Sequence, residues 1–150
     1  MRVLAIAAAG LLALSGCDAL DTLATEAASP IEAIHVETDA SYYVLPSATV
    51  PASVQFTIEN RGTRAVAIHR CGERVMAALD RRDGLGWEQF SGDACLANQM
   101  MVPLQLAPGA RTAGVQMVQQ QGVFRLRLGI DRGGAAQVMW TVTSNDFTVE

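Results

Sequence analysis

His69 and Cys71 stand two residues apart, Met76 follows, and a second cysteine, Cys95, closes the same stretch. On a strand, positions two apart share a face, so an imidazole and a thiolate there could begin a soft copper site, with Met76, Met100 or Met101 as a thioether ligand. The same pair could be a thiolate nucleophile beside its base. The two cysteines could also simply close on each other as a staple. A structural zinc site is not in question, because no cysteine or histidine pairs occur at the short spacing it needs.

The nucleophile has the least behind it. No third group to orient the imidazole and no oxyanion nest can be named, and no serine sits in a Gly-x-Ser-x-Gly elbow. The acids Glu73, Asp80, Asp83, Glu88 and Asp93 are close in sequence but fall on separate turns, which marks them as solvated loop faces rather than a catalytic pair. The expectation is a non-enzyme with no catalytic residue, no metal and no cofactor. Scattered methionines on core strands are packing residues first, which keeps copper a lesser alternative.

The N-terminus bears on the cysteines. Arg2 precedes an uncharged apolar run from Val3 to Leu14, too short to span a bilayer and followed by small residues, as in an export signal. The run ends in Leu14-Ser15-Gly16-Cys17, which resembles the bacterial lipobox at all four positions. That resemblance implies a diacylglycerol on the Cys17 sulfur and cleavage between Gly16 and Cys17. Two or three acyl chains, at about 0.8 kcal/mol per buried methylene, hold a chain at a membrane where one would bind only reversibly. Asp18 resembles an inner-membrane retention signal of enteric bacteria, a rule that does not transfer to other bacteria, so the choice of membrane stays open. The segment that follows, to Pro30, is small, polar and mildly acidic, and reads as a flexible tether. The expected organisation is a signal peptide over 1–16, lipidated Cys17 and tether over 17–30, and a folded domain over 31–150.

With Cys17 assigned to lipid, an even pair of cysteines remains in a chain exported to an oxidising compartment. A Cys71–Cys95 disulfide is therefore expected, closing a loop of roughly 25 residues for about 3.5 kcal/mol in the chain-entropy model.

Beyond the tether the hydrophobic period is two. From Val50 to Glu59 five apolar residues alternate with five others, and Pro51 lies near the start, where a missing donor is tolerated. The turn at 60–62 leads to Val66 and Ile68, then Val75, Ala77 and Leu79. An Asp83-Gly84 hairpin signal precedes Trp87. Pro103 marks an edge strand, Gly114 weakens the next, and Phe124, Leu126, Leu128 and Ile130 alternate with Arg125 and Arg127. Val138, Trp140 and Val142 share a face, and Phe147 and Val149 close the chain. Short strands with a turn every eight to twelve residues and no helix after the tether predict an all-β fold. Its expected form is an immunoglobulin-like antiparallel β-sandwich of about seven to nine strands. An up-and-down barrel has the same periodicity.

The order FTIENRGTRAVAI, LDRRDGLGWEQF, LAPGA and QQGVFRLRL, over about Val54 to Leu128, is similar to the layout of BsuPI-type proteinase inhibitor domains. It departs from that layout in Phe124, where Tyr is usual, and in its two added cysteines. The shared motifs are turn chemistry, so the resemblance implies the fold and carries over no inhibitory residue.

The chain has 150 residues, half of them apolar, and a net charge of −4; its eleven basic residues are all arginine. Mild acidity and the absence of a dense basic patch disfavour nucleic acid as a partner. The clusters Arg61/Arg64, Arg81/Arg82 and Arg125/Arg127 read as solvated loop or strand faces. The expected function is that of an envelope lipoprotein, membrane-bound through its lipid, serving as a non-catalytic binding or structural module for an envelope protein. A proteinase inhibitor-like domain is the alternative, and a periplasmic copper protein a lesser one. Asp83, Gly84, Trp87 and Asp93 are the candidate partner surface.

Overall fold

A computed structural model describes residues 33–92, 95, 99–131 and 139–150. The expected segment boundary at 30/31, Gly16, Cys17 and Asp93 lie outside them. The strands in chain order are β1 (Ile34–Thr38), β2 (Tyr42–Tyr43), β3 (Ala52–Asn60), β4 (Val66–Cys71), β5 (Arg74–Val75), β6 (Ala78–Asp83), β7 (Gly86–Ser91), β8 (Met101–Leu106), β9 (Arg111–Val118), β10 (Gly122–Asp131), β11 (Met139–Thr143) and β12 (Phe147–Val149).

The alternation over β3 does what a period of two requires. Val54, Phe56 and Ile58 are buried while Ser53, Gln55 and Thr57 face water. β3 is the middle of a three-stranded antiparallel sheet, β1-β3-β9. The second sheet is built on β10, whose Phe124, Leu126, Leu128 and Ile130 all lie at 2% exposure or less. β12 and β11 run along one edge of β10, and β6 and β4 along the other. β7 extends β6, β8 extends β4, and β2 joins β12 in parallel. The buried faces of the two sheets meet in one apolar core, so the chain is an immunoglobulin-like β-sandwich.

Twelve segments appear among the described residues where seven to nine strands are expected, because long lines along β10 are interrupted. β4 leaves the edge of β10 after Ile68, β5 doubles back beside it, and β6 rejoins at Ala78. β11 and β12 are likewise parted by residues 144–146. There the Ser144 hydroxyl accepts from Leu126 N at 2.9 Å, while Ser144 N donates to Leu126 O at 3.0 Å.

Two details of the sequence acquire reasons. Gly114 faces Phe56 across the β3–β9 ladder, and a Cβ there would lie 2.3 Å from the Phe56 Cζ. The ring takes the place a side chain would occupy. Asn60 is fully buried and fastens two turns together. Its Nδ2 donates to Arg64 O at 2.8 Å and Leu106 O at 2.9 Å, and its Oδ1 accepts from Gly62 N at 3.0 Å. The backbone adds Gly109 N to Asn60 O at 2.7 Å. The Asn-turn after β3 and the Pro-Gly turn after β8 are therefore one structural unit.

Candidate functional site

The outer face of β6, β7 and β10 carries a dense polar arrangement among the described residues. The β6–β7 hairpin turns at Gly84-Leu85, with Gly84 at φ +56° and no positive φ at Leu85. A glycine in the first central position of a two-residue loop is the II′ pattern, which suits the twist of a hairpin. Leu85 at its tip is fully exposed, at 109%.

The period of two sends Asp80 and Arg82 of β6 to the outer face, opposite Arg125 and Trp87 respectively. Asp80 is buried there, and it accepts from Arg127 Nε at 2.8 Å and from Arg125 Nε at 3.3 Å. Arg127 also donates to Gln89 Oε1 at 2.7 Å, and Arg82 donates to Asp146 Oδ2 at 2.8 Å. Trp87 meets two cations: the Arg125 guanidinium lies 4.4 Å and that of Arg82 4.9 Å from its ring centroid. Each such contact contributes about 0.5–1 kcal/mol at a partly exposed site. The hairpin is thus clamped to β10 by charge, hydrogen bonds and an aromatic ring together.

Of the expected partner surface, Asp83, Gly84 and Trp87 come together on this hairpin. Asp83 is exposed beside the turn, and Trp87 is half-buried on the outer face rather than in the core. The residues that sequence reasoning missed are Asp80, Arg82, Arg125, Arg127, Gln89 and Asp146. Asp80 is no solvated loop residue, and Arg82, Arg125 and Arg127 are not merely solvated. The available signal was the matched i, i+2 spacing of Asp80/Arg82 and Arg125/Arg127, which places opposite charges face to face once β6 pairs with β10.

The cysteines form a disulfide, Cys71–Cys95, with Cα atoms 5.4 Å apart. It ties the segment before β8 to the end of β4, and Cys71 is 2% exposed. With its sulfur in the bridge, Cys71 is neither a thiolate ligand nor a nucleophile. His69 and Met76 are neighbours through the backbone, Met76 N donating to His69 O at 2.9 Å. Among the described residues no three of the His, Cys, Asp and Glu side chains converge to hold a metal ion.

Titrating groups elsewhere are displaced, among them Glu59 and Tyr43. Hydrogen bonds from Arg111 and Arg61, both 2.8 Å, hold the Glu59 carboxyl below its ordinary 4.5. Burial, and then a hydrogen bond to Asp39, pushes the Tyr43 phenol above its ordinary 10.0. Among the described residues no helix is long and apolar enough to cross a membrane.

Fold and surface together define an all-β sandwich domain with a clamped hairpin. No family model matches the chain, and no curated protein matches it. Solved structures similar to it include a Northeast Structural Genomics Consortium target, 14% identical with a TM-score of 0.48, covering 81% of this chain and 89% of that one. A PapD-like domain of human CEP192 is 10% identical with a TM-score of 0.34, over 97% and 94% of the two chains. A β-glucosidase from Listeria innocua in complex with glucose is 13% identical with a TM-score of 0.31; the match covers 76% of this chain and 16% of the enzyme.

Proposed function

We propose that this chain is a bacterial envelope lipoprotein whose β-sandwich is a non-catalytic binding module, presenting the β6–β7 hairpin to an envelope protein. The anchoring half is supported by Leu14-Ser15-Gly16-Cys17 at the end of an apolar run. The observation that carries the binding half is the hairpin itself. It holds an apolar tip, Leu85, away from the domain on a base made rigid by Asp80, Trp87 and three arginines. Rigid presentation lowers the entropy lost on association, and an exposed leucine beside a half-buried tryptophan offers the apolar contact that interface centres use.

The two halves are tested separately. A Cys17→Ala chain should move from the membrane fraction to the soluble one, and the wild-type membrane form should carry the mass of acyl chains. Unmodified Cys17 in membrane-bound protein would refute the anchor. For the hairpin, in-cell cross-linking from position 85 should trap an envelope protein, and the same product should disappear with Trp87→Ala. A cross-link unchanged in that variant would remove Trp87 from the surface. A protease assay with the purified chain separates the inhibitor alternative, which requires stoichiometric loss of protease activity.

A further inference from the structure

Arg81 differs from several other arginines of the chain. Arg82, Arg111, Arg125 and Arg127 each hold a carboxylate. Arg81 is half-buried and pairs with no carboxylate of the described residues. Its guanidinium lies instead over two phenyl rings, 5.8 Å from the Phe90 centroid and 6.0 Å from that of Phe124. Its position follows from register: Arg81 faces inward opposite Phe124, at the end of the sandwich where β6 runs out of core. Gly122, at φ +149°, makes room for it, since a Cβ there would come within 2.9 Å of the Arg81 Nε. The side chain is therefore seated by three neighbours rather than left free in water. The guanidinium of a side chain so placed still has N–H donors to offer a ligand.

What lies beyond is a set of shallow, open depressions. Three hollows of about 320, 520 and 550 Å³ open at this end, and Arg81 borders each. The first is also lined by Asp83 and Glu88, and the third by Glu150, which repel an anion. The second has no acidic lining: Leu45, Ser47, Ala48 and the three consecutive glutamines Gln119, Gln120 and Gln121 complete it with Arg81. Amides and a hydroxyl around one cation supply donors without a competing charge.

We propose that this second hollow binds a single carboxylate, with Arg81 as its anchor and the glutamine turn and Ser47 as further donors. One guanidinium matches one carboxylate in charge and in its planar two-point geometry. A phosphate dianion fits less well, because it brings a second charge to a place with acids on either side. The carboxylate can end a peptide or belong to a small organic acid, and the two sources are separable. The site lies on the inner side of β6, and it stands whether or not the hairpin binds a partner or Cys17 carries lipid.

The test is an amide ¹H–¹⁵N NMR titration of the purified chain at constant chloride. The probes are sodium acetate, acetyl-Ala-Ala with a free C-terminus, and the same peptide amidated. Saturable shifts confined to Ser47, Ala48, Gln119, Gln120, Gln121 and Gly122 are expected with at least one acid and not with the amide. Saturation by acetate as good as by the peptide assigns a small acid; saturation by the free peptide alone assigns a chain terminus. Arg81→Gln should weaken binding at least tenfold, while Arg64→Gln, at an exposed arginine, should leave it unchanged. Arg81→Lys keeps the charge but loses the fork, so it should bind more weakly than wild type. The wild-type shift map decides the matter even if Arg81→Gln does not fold. No saturable shift with either acid, equal shifts with the amidated peptide, or unaltered binding by Arg81→Lys would overturn the assignment.

Discussion

Replacing Asn60 by alanine should be among the most damaging polar substitutions in the domain. The side chain is fully buried and makes three hydrogen bonds, to Arg64 O, Leu106 O and Gly62 N. A net contribution of about 1 kcal/mol per bond puts the loss near 3 kcal/mol. The carbonyl of Leu106 faces the buried side, so solvent does not replace its partner. The Arg64 carbonyl and the Gly62 N–H are nearer the surface, which holds the total near 3 rather than higher. At roughly 4 °C per kcal/mol the thermal midpoint should fall by about 12 °C. Urea unfolding gives the free energy directly, provided the slope is unchanged between variants. Asn60→Asp is the sharper control. It retains an acceptor for Gly62 N, but it turns an oxygen towards the two carbonyls and buries a charge, so it should be worse than alanine. A loss under 1 kcal/mol for Asn60→Ala, or an Asp variant as stable as wild type, would refute the view that this residue joins the two turns.

Other perturbations follow from the same contacts. Gly114→Ala should cost about 2 kcal/mol through overpacking against Phe56, and Phe56→Leu should absorb part of that cost in the double variant, read by urea midpoints. Asp80→Asn should cost about 1–2 kcal/mol, because its two arginines are partly exposed, and should alter Trp87 fluorescence as Arg125 loosens. Glu59 has its carboxyl held below 4.5, so its contribution is present above that pH and is lost as pH falls through the folded value. Glu59→Gln should therefore flatten the stability profile below pH 4.5, measured by thermal melts across that range. Reducing the disulfide, or replacing both cysteines by serine, should remove about 3.5 kcal/mol for a separation of 24 residues. Equal midpoints with and without reductant would contradict that figure.

The strands were most legible where buried positions alternate with exposed or half-buried ones, as in β3 and β10. Val54 to Ile58 and Phe124 to Ile130 leave little else to conclude. The breaks were not legible. Val75, Ala77 and Leu79 keep a period of two through a turn of direction, since all three are buried, so alternation alone hides the point where β5 ends and β6 begins. Val50 fits the pattern of β3 yet is 49% exposed and outside it, because the sandwich ends before the alternation does. The disulfide was expected from the cysteine count once the lipobox resemblance set Cys17 apart, and Cys71 and Cys95 are bonded. The ion lattice was not expected, because it depends on register: Asp80 and Arg125 are 45 positions apart, and only the pairing of β6 with β10 makes them neighbours. One step of slip would have put Asp80 opposite a leucine or a phenylalanine instead.

That dependence on register places two separate surfaces on adjacent residues. Arg81 points inward to the rings of Phe90 and Phe124, while Arg82 points outward to Trp87 and Asp146. The two side chains share a backbone segment and a charge but have no neighbour in common among these contacts. Arg82→Gln should loosen the base of the hairpin and weaken the cross-link from position 85, leaving carboxylate binding at the other face as it was. Arg81→Gln should do the reverse. Substitutions one residue apart thus distinguish hairpin recognition from anion binding without a change in net charge between the variants. If each of them weakened both activities equally, the two surfaces would be acting through the shared strand, and the separation of faces by strand period would fail as an account of this protein.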